Sequence, residues 1–306
     1  MTETDLPTRR IGSLEVTVAG LGCNNFGRRL DLNGTRAVID AALDAGVNLL
    51  DTADIYGDGR SEEMIGELLS DGRRDRVVLA TKFGMDRGGA LPGAPGSAEY
   101  VRAACERSLG RLRTDVIDLL QYHKPNPEVP LEETLGALEE LVGAGKVREI
   151  GCSNFGTVEL RASGRRFASL QNEYSLLKRD IERDVMPASE QLGVTVLPYF
   201  PLASGLLSGK YRRGEDAPAG TRLAGRESVA SEAQWDAIEA LASFAAERGI
   251  ELIDVAIGYL VAQPAVASVI AGATKPEQVR RNAAAALAWQ PSGDDLAELR
   301  RIAPGA

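Results

Sequence analysis

Short apolar runs alternate with longer amphipathic segments along the whole chain. The apolar runs have the length of β-strands, and the amphipathic segments repeat their apolar positions with helical spacing. The predicted strands and helices follow one another in pairs: Val18–Leu21 and Thr35–Ala45, Val47–Leu50 and Ser61–Ser70, Val77–Thr81 and Ala98–Leu109, Val116–Leu120 and Leu131–Ala144, Val147–Gly151 and Thr157–Ser163, Ala168–Leu170 and Ile181–Leu192, Val194–Leu197 and Glu232–Arg248, and Val266–Ile270 and Pro276–Ala286. One further helix is predicted over Leu252–Ala262.

This alternation predicts an α/β fold. Strands that alternate with helices form a parallel sheet covered by helices. Eight such units within 306 residues favour a closed (β/α)8 TIM barrel over an open sheet. No segment has the composition of a linker between domains, so the sequence predicts a single domain over residues 1–306.

Composition and charge narrow the class of protein. The formal net charge is -9 and the basic residues are scattered, which does not favour nucleic-acid binding. The N-terminal segment lacks the apolar core of a signal peptide, and the longest apolar run, Val255–Ala262, is too short to cross a bilayer. Three cysteines suit neither a disulfide framework nor a zinc site, and a single histidine excludes a multi-histidine metal site. The sequence predicts a cytoplasmic protein without a metal, nucleic-acid or membrane partner, and it leaves the oligomeric state open.

Ionisable residues close several of the predicted strands. Asp51, Lys82 and the only histidine, His123, stand at strand ends, and Tyr56 follows shortly after the second strand. Active sites of (β/α)8 barrels lie at the carboxyl ends of the strands. Each residue alone has an ordinary structural explanation, because ion pairs and capped turns also use such side chains. Four of them at one end of a barrel predict a catalytic group.

Two common phosphate-binding motifs are absent. No GxGxxG sequence follows a predicted strand, so a Rossmann domain is not supported. The segment GLLSGKY, residues 205–211, has its glycines one residue too close for a P-loop. Tyr211 also stands where a P-loop carries Ser or Thr.

Seven stretches resemble the aldo-keto reductase superfamily, and together they cover about Ile11 to Asn282. They are DTADIYGDGRSE at 51–62, ATKFG at 80–84, LLQYHKP at 119–125, IGCSNF at 150–155, QNEYSLL at 171–177, PYFPLASGLLSGKY at 198–211 and GATKPEQVRRN at 272–282. The pattern is more similar to the bacterial and potassium-channel-beta-subunit branch than to aldose reductase. Gly272 and Gln278 stand where the aldose reductase pattern has Lys and Arg.

The resemblance implies an NADPH-dependent enzyme that reduces aldehydes or ketones by hydride transfer. It makes Tyr56 the general acid and His123 the donor that orients the substrate carbonyl. A free tyrosine has a pKa of about 10, so we expect the Lys82 ammonium to lower it. Asp51 would pair with Lys82. The implied partner is a small-molecule carbonyl compound.

The resemblance also implies a set of contacts to NADPH. Ser153, Asn154 and Gln171 would hold the nicotinamide carboxamide, and Tyr199 would stack on the ring. The remaining expected contacts are a pyrophosphate loop (Leu202, Ala203, Ser204, Gly205 and Leu206), cations for the adenosine phosphates (Lys210 and Arg222, with Arg226 and Arg281 as further candidates) and the adenosine end (Gly272, Thr274, Gln278 and Asn282).

The substrate pocket and the physiological role remain open at this point. Phe26, Ile55, Phe83, Met85 and Asn126 are candidate wall residues from their loop positions, and each could equally be a packing residue. Two alternative functions share the same site. One is an NADPH-binding regulatory protein that senses redox state through slow turnover, and the other is a sugar or alcohol dehydrogenase that works in the oxidative direction.

Overall fold

A computed structural model describes residues 6–70, 72–85, 91–226 and 229–303. In this part of the chain eight parallel strands close into a barrel, because β10 pairs with both β9 and β3. The barrel strands are β3 (Ala19–Gly22), β4 (Leu49–Asp51), β5 (Val78–Phe83), β6 (Ile117–Tyr122), β7 (Val147–Ser153), β8 (Ser169–Glu173), β9 (Thr195–Tyr199) and β10 (Val269–Gly272). The predicted (β/α)8 TIM barrel is confirmed.

Helices surround the barrel on its outer side. They are α1 (Leu32–Asp44), α2 (Arg60–Leu68), α3 (Ala98–Leu112), α4 (Leu131–Gly143), α5 (Thr157–Ala162), α6 (Val185–Leu192), α7 (Glu232–Glu247), α8 (Leu252–Val261), α9 (Pro276–Ala288) and α10 (Gly293–Ile302). Each predicted helix is present, with ends within four residues of the prediction.

The barrel strands are apolar on both faces, which explains why they read as continuous apolar runs. In β4, Leu49 faces the barrel interior and Leu50 packs beneath the helices. Leu119 and Leu120 of β6 alternate in the same way, as successive residues of a strand must. Burial on both sides holds the strand ends in place, and the polar residues that follow them line the mouth of the barrel.

Two elements were not predicted. Strands β1 (Thr8–Ile11) and β2 (Leu14–Thr17) form an antiparallel hairpin. Ile11, Leu14 and Val16 join the apolar cluster of the barrel interior, so the hairpin covers the end opposite the site. The other is α10, which begins at a capping box between Ser292 and Asp295, a signal readable from sequence.

No helix in the described ranges is long and apolar enough to cross a membrane. The same residues contain no group of three or more side chains that could hold a metal ion. The prediction of a single domain over residues 1–306 stays a prediction.

Candidate active site

The four residues of the predicted catalytic group lie together at the carboxyl end of the barrel. Asp51 ends β4, Lys82 lies within β5, and His123 directly follows β6. Tyr56 begins the 3-10 turn Tyr56–Gly59 that leads into α2. Lys82 Nζ lies 3.5 Å from Tyr56 Oη, and the Tyr56 and His123 rings meet edge to face with centroids 6.1 Å apart. This is the end at which barrel enzymes bind their substrates.

Lys82 is fully buried and forms an ion pair with Asp51. Its Nζ donates to Asp51 Oδ2 at 2.7 Å and to the Thr52 carbonyl at 2.8 Å. The other carboxylate oxygen, Asp51 Oδ1, accepts hydrogen bonds from the side-chain amides of Gln121 at 3.0 Å and Gln171 at 2.9 Å. Both buried charges are therefore compensated, as ionised groups removed from water must be.

Gln121 is a site residue that the sequence analysis missed. Its side chain is fully buried inside the barrel, where Oε1 accepts a hydrogen bond from Gln171 Nε2 at 3.1 Å. A signal was present, since a lone amide interrupts the apolar strand β6 two residues before His123. A buried amide needs polar partners, and the nearest candidates were the ionisable residues at the neighbouring strand ends.

The pKa of Tyr56 is raised, which corrects the expectation that Lys82 lowers it overall. Burial of the phenol has the largest effect and raises the pKa, the Lys82 ammonium lowers it, and the Asp51 carboxylate raises it again. Burial lowers the pKa of Lys82, but Asp51 and Tyr56 outweigh burial and leave that pKa above its ordinary value. The site therefore holds a protonated phenol beside an ammonium ion, which offsets part of the cost of forming a phenolate.

The ends of β7 and β9 form the opposite side of the mouth. Asn154 follows β7 with a positive φ of 59°. Its Nδ2 donates to the His123 carbonyl at 2.9 Å and to Ser153 Oγ at 3.1 Å. Tyr199 Oη donates to Asn154 Oδ1 at 2.8 Å, which holds the half-buried Tyr199 ring at the end of β9. The structure thus brings Ser153, Asn154 and Tyr199 together, and their contact with a nicotinamide stays a prediction.

Gln171, a predicted nicotinamide contact, also belongs to the ion-pair network of Asp51 and Lys82. Its side chain is 2% exposed and points into the barrel, where Nε2 donates to Asp51 and to Gln121. The amide nitrogen is therefore engaged by the ion-pair network. A contact from Gln171 to a nicotinamide carboxamide has to use its amide oxygen.

The predicted pyrophosphate loop forms a tight turn after β9. Three consecutive residues, Ala203, Ser204 and Gly205, have positive φ values of 45°, 59° and 98°. Leu202 precedes the turn, and the Leu206 side chain is buried in the core, so only its backbone is available to a ligand. Turns of this kind form anion-binding concavities.

A cation lies directly beside this turn. A Cβ on Gly205 would lie 3.0 Å from Lys210 Nζ, so the glycine leaves room for the ammonium against the backbone. The cradle and its cation fit the phosphates of a dinucleotide.

Further along the same loop, Arg222 stacks on Phe200 with its guanidinium carbon 4.6 Å from the ring centroid. Burial lowers the pKa of Arg222, and the nearby charges of Arg29, Arg28 and Arg226 lower it further. Guanidiniums from the loops after β3 and β9 therefore lie close enough to repel one another. Such a cluster favours an anion between the two loops.

Arg281, one of the further candidates for the adenosine phosphates, is held in two ion pairs. Its guanidinium binds Asp254 at 2.7 Å and Glu251 at 2.9 Å. Both carboxylates belong to the start of α8, so the charge of Arg281 is already compensated.

The predicted adenosine contacts lie at the end of β10, in the loop that follows it and on α9. Gly272 ends β10, and Gln278 Oε1 accepts a hydrogen bond from the Thr274 backbone N–H at 2.7 Å. These three residues lie together at the start of α9. Asn282 lies one turn after Gln278 on α9. It is 8% exposed and lines a small cavity together with Leu21.

Two of the five candidate wall residues are packing residues. Phe26 and Phe83 are fully buried in the apolar core. Asn126 holds the loop before α3, because its Nδ2 donates to the Pro95 carbonyl at 3.0 Å. Ile55 and Met85 are half-buried in the segments that follow β4 and β5, and their role as wall residues stays a prediction.

Comparisons with known proteins agree with this geometry. The sequence model of the Aldo/keto reductase family matches residues 19–304. The chain is 34% identical over 298 residues to the uncharacterized oxidoreductase YqkF of Bacillus subtilis (strain 168), a match that covers 95% of each protein. Its fold is similar to that of aldo-keto reductase AKR11C1 from Bacillus halodurans in the holo form, with a TM-score of 0.84, 31% sequence identity and coverage of 98% of this chain and 97% of that one.

Proposed function

The chain belongs to the aldo/keto reductase family and is an oxidoreductase, and from this premise we propose that it reduces aldehydes or ketones to alcohols with NADPH. The observation that carries the proposal is the buried Lys82 ammonium, paired with Asp51 at 2.7 Å and lying 3.5 Å from the Tyr56 hydroxyl. An ion pair that serves only the fold does not require a phenol beside its lysine. An ion pair that supports a proton donor does require one, because the phenol is the donor.

In the proposed reaction Tyr56 Oη donates a proton to the carbonyl oxygen. NADPH, when bound beside Tyr199, would supply the hydride that converts the C=O group into an alcohol together with this proton. Lys82 stabilises the phenolate that remains, because an ammonium at 3.5 Å favours the charged form. His123 donates a hydrogen bond to the same carbonyl oxygen and orients it.

Asp51 keeps Lys82 charged and in place. Its second oxygen is held by Gln121 and Gln171, so the pair is fixed from both sides. A catalytic group built on rigid strands of this kind does not need to reorganise during the reaction.

The choice of NADPH over NADH rests on the cations near the loop after β9. Lys210 and Arg222 are the candidates for the 2′-phosphate, the group in which the two cofactors differ. The turn at Ser204 and Gly205 and the half-buried Tyr199 ring support the pyrophosphate and nicotinamide positions. A cytoplasmic location suits this activity and the three cysteines, which are all free and buried.

A panel of small aldehydes and ketones, monitored by the loss of NADPH absorbance, tests the proposal. We expect steady turnover by the wild type and a loss of kcat of at least about 10²-fold in Tyr56→Phe, with unchanged NADPH affinity. Tight NADPH binding with very slow turnover on every carbonyl would instead favour the redox-sensing regulator. Faster oxidation of sugars or alcohols with NADP⁺ than reduction of any carbonyl would favour the dehydrogenase.

A further inference from the structure

A second ion pair, with a fully buried carboxylate, lies behind the turn Tyr56–Gly59 that presents the phenol. Glu62 of α2 is fully buried, and Glu62 Oε2 lies 3.2 Å from Arg111 Nη1 of α3. The two helices approach closely here, because a Cβ on Gly66 would overlap the backbone of Arg111 and Leu112. The close approach places the backbone of Arg111 beside α2, and its guanidinium reaches back to Gly59 at the start of that helix.

The Arg111 guanidinium touches this turn on both sides of Tyr56. Before Tyr56, Arg111 Nη1 donates to the Asp54 carbonyl at 3.2 Å. After Tyr56, the guanidinium lies over Gly59, where a Cβ would overlap it. Gly59 has a φ of 93°, which only glycine adopts readily, and it is the residue that joins the turn to α2. One side chain therefore holds the segment that presents the phenol.

The same ion pair also holds the strand that carries Lys82. Glu62 Oε1 accepts a hydrogen bond from Thr81 Oγ1 at 2.7 Å, and Thr81 directly precedes Lys82 in β5. The Asp54 N–H in turn donates to the Lys82 carbonyl at 3.1 Å. Through these contacts Glu62 and Arg111 link the segment that carries the Tyr56 phenol to the strand that carries the Lys82 ammonium. Neither side chain reaches the reacting atoms.

We propose that Arg111 and Glu62 are positioning residues that set the distance between Tyr56 Oη and Lys82 Nζ. The inference rests on the proposed function of Tyr56 as the general acid. The electrostatic influence of Lys82 on the phenol falls with distance. Loosening the turn therefore weakens the proton donor without removing any group that contacts substrate or cofactor.

Three variants of α3 test this proposal. Arg111→Met removes the guanidinium, and Arg111→Lys keeps the charge but lacks the planar fork of donors that reaches two acceptors. Arg107→Met is the matched control: Arg107 lies one turn earlier on the same helix, and its closest carboxylate approach is 3.9 Å to Asp54. Unfolding by denaturant is measured for each variant, so that changes in kcat are compared among folded proteins.

For Arg111→Met we expect kcat to fall by at least about tenfold, since a misplacement of about 1 Å can cost about 10²-fold. The KM for substrate and the Kd for NADPH should stay near the wild-type values. Arg111→Lys should lie between Arg111→Met and the wild type, and Arg107→Met should keep the wild-type kcat. If Arg111→Met does not fold, the comparison of Arg111→Lys with Arg107→Met carries the test.

A second readout is independent of turnover. The ultraviolet absorbance of tyrosinate, taken as the difference between each protein and its Tyr56→Phe counterpart, follows the ionisation of Tyr56 without substrate. Arg111→Met should shift this titration to higher pH, and Arg107→Met should not. An unshifted titration, or equal losses of kcat and NADPH affinity, would overturn the proposal. A shifted titration in a protein that reduces no carbonyl would refute the proposed function and leave this inference standing.

Discussion

Replacing Lys82 with methionine should change both the stability of the protein and the acidity of Tyr56. Lys82→Met leaves Asp51 as a carboxylate that is 2% exposed and has lost its cation. Removing one partner of a buried ion pair costs about 3–5 kcal/mol. Because Gln121 and Gln171 still donate to Asp51, we expect a loss of unfolding free energy near the lower end, about 3 kcal/mol.

The expected effect on catalysis follows from the distance to Tyr56. Two unit charges at the 3.5 Å separation of Lys82 Nζ and Tyr56 Oη interact by about 5 kcal/mol at an effective dielectric constant of about 20. Without this interaction the pKa of Tyr56 should rise further above its ordinary value. A weaker acid of this kind should reduce kcat by about 10²-fold or more.

The double variant with Asp51→Asn distinguishes the two effects. Asp51→Asn removes the uncompensated charge, so the double variant should recover most of the stability lost in Lys82→Met. It should not recover kcat, because the cation beside Tyr56 is still missing. Urea unfolding and aldehyde reduction measured on the same preparations provide both numbers. If the two substitutions destabilise the protein additively, or if kcat returns with stability, the coupling we infer between Lys82 and Asp51 is wrong.

Three further predictions address the cofactor, the catalytic turn and pH. Lys210→Ala should weaken NADPH binding by roughly 10- to 150-fold, the range of a charge-assisted contact of about 1.5–3 kcal/mol. Fluorescence titrations should show nearly unchanged NADH binding, and equal losses for both cofactors would place the lysine on the shared pyrophosphate. Gly59→Ala should destabilise the protein by about 2 kcal/mol or more through its positive φ, whereas Gly110→Ala, inside α3 and with open space around it, should stabilise it by about 0.5–1 kcal/mol. Burial raises the pKa of Asp54 to about 7, well above the ordinary value of about 4, so its contribution to folding is largest below about pH 4 and is lost as pH rises to about 7. Asp54→Asn should therefore gain stability relative to the wild type across that window, by about 4 kcal/mol in total, and a constant difference in unfolding free energy would contradict this.

Much of the fold and the location of the site could be predicted because both depend on local patterns. Strands buried on both faces must be apolar along their length, and the chain shows such a run for each barrel strand. The hairpin β1–β2 escaped prediction because its residues alternate over only a few positions. Its apolar side chains are buried only because they close the far end of the barrel.

The candidate site also contains residues that local patterns could place and residues whose contacts depend on the tertiary structure. Asp51, Lys82 and His123 could be placed from sequence because each directly follows or ends an apolar run, and parallel strands in a barrel all end on one side. The hydrogen bonds of Gln171 to Asp51 and Gln121 could not be predicted, because a position in a strand gives the residue type and not the direction of its amide. Its bond to Asp51 joins residues 120 positions apart.

By itself, the amino-acid sequence determined the eight strands of the barrel, which of their ends carry ionisable groups, and which family those motifs resemble. Only the tertiary structure decided that burial raises the pKa of Tyr56 more than Lys82 lowers it. It also decided that Arg281 is paired with acidic residues of α8. The same holds for the contact of Arg111 with both sides of the catalytic turn. The physical reason is that pKa values and ion pairs depend on distance and on removal from water. Both are set by segments far apart in the chain, after the barrel has closed.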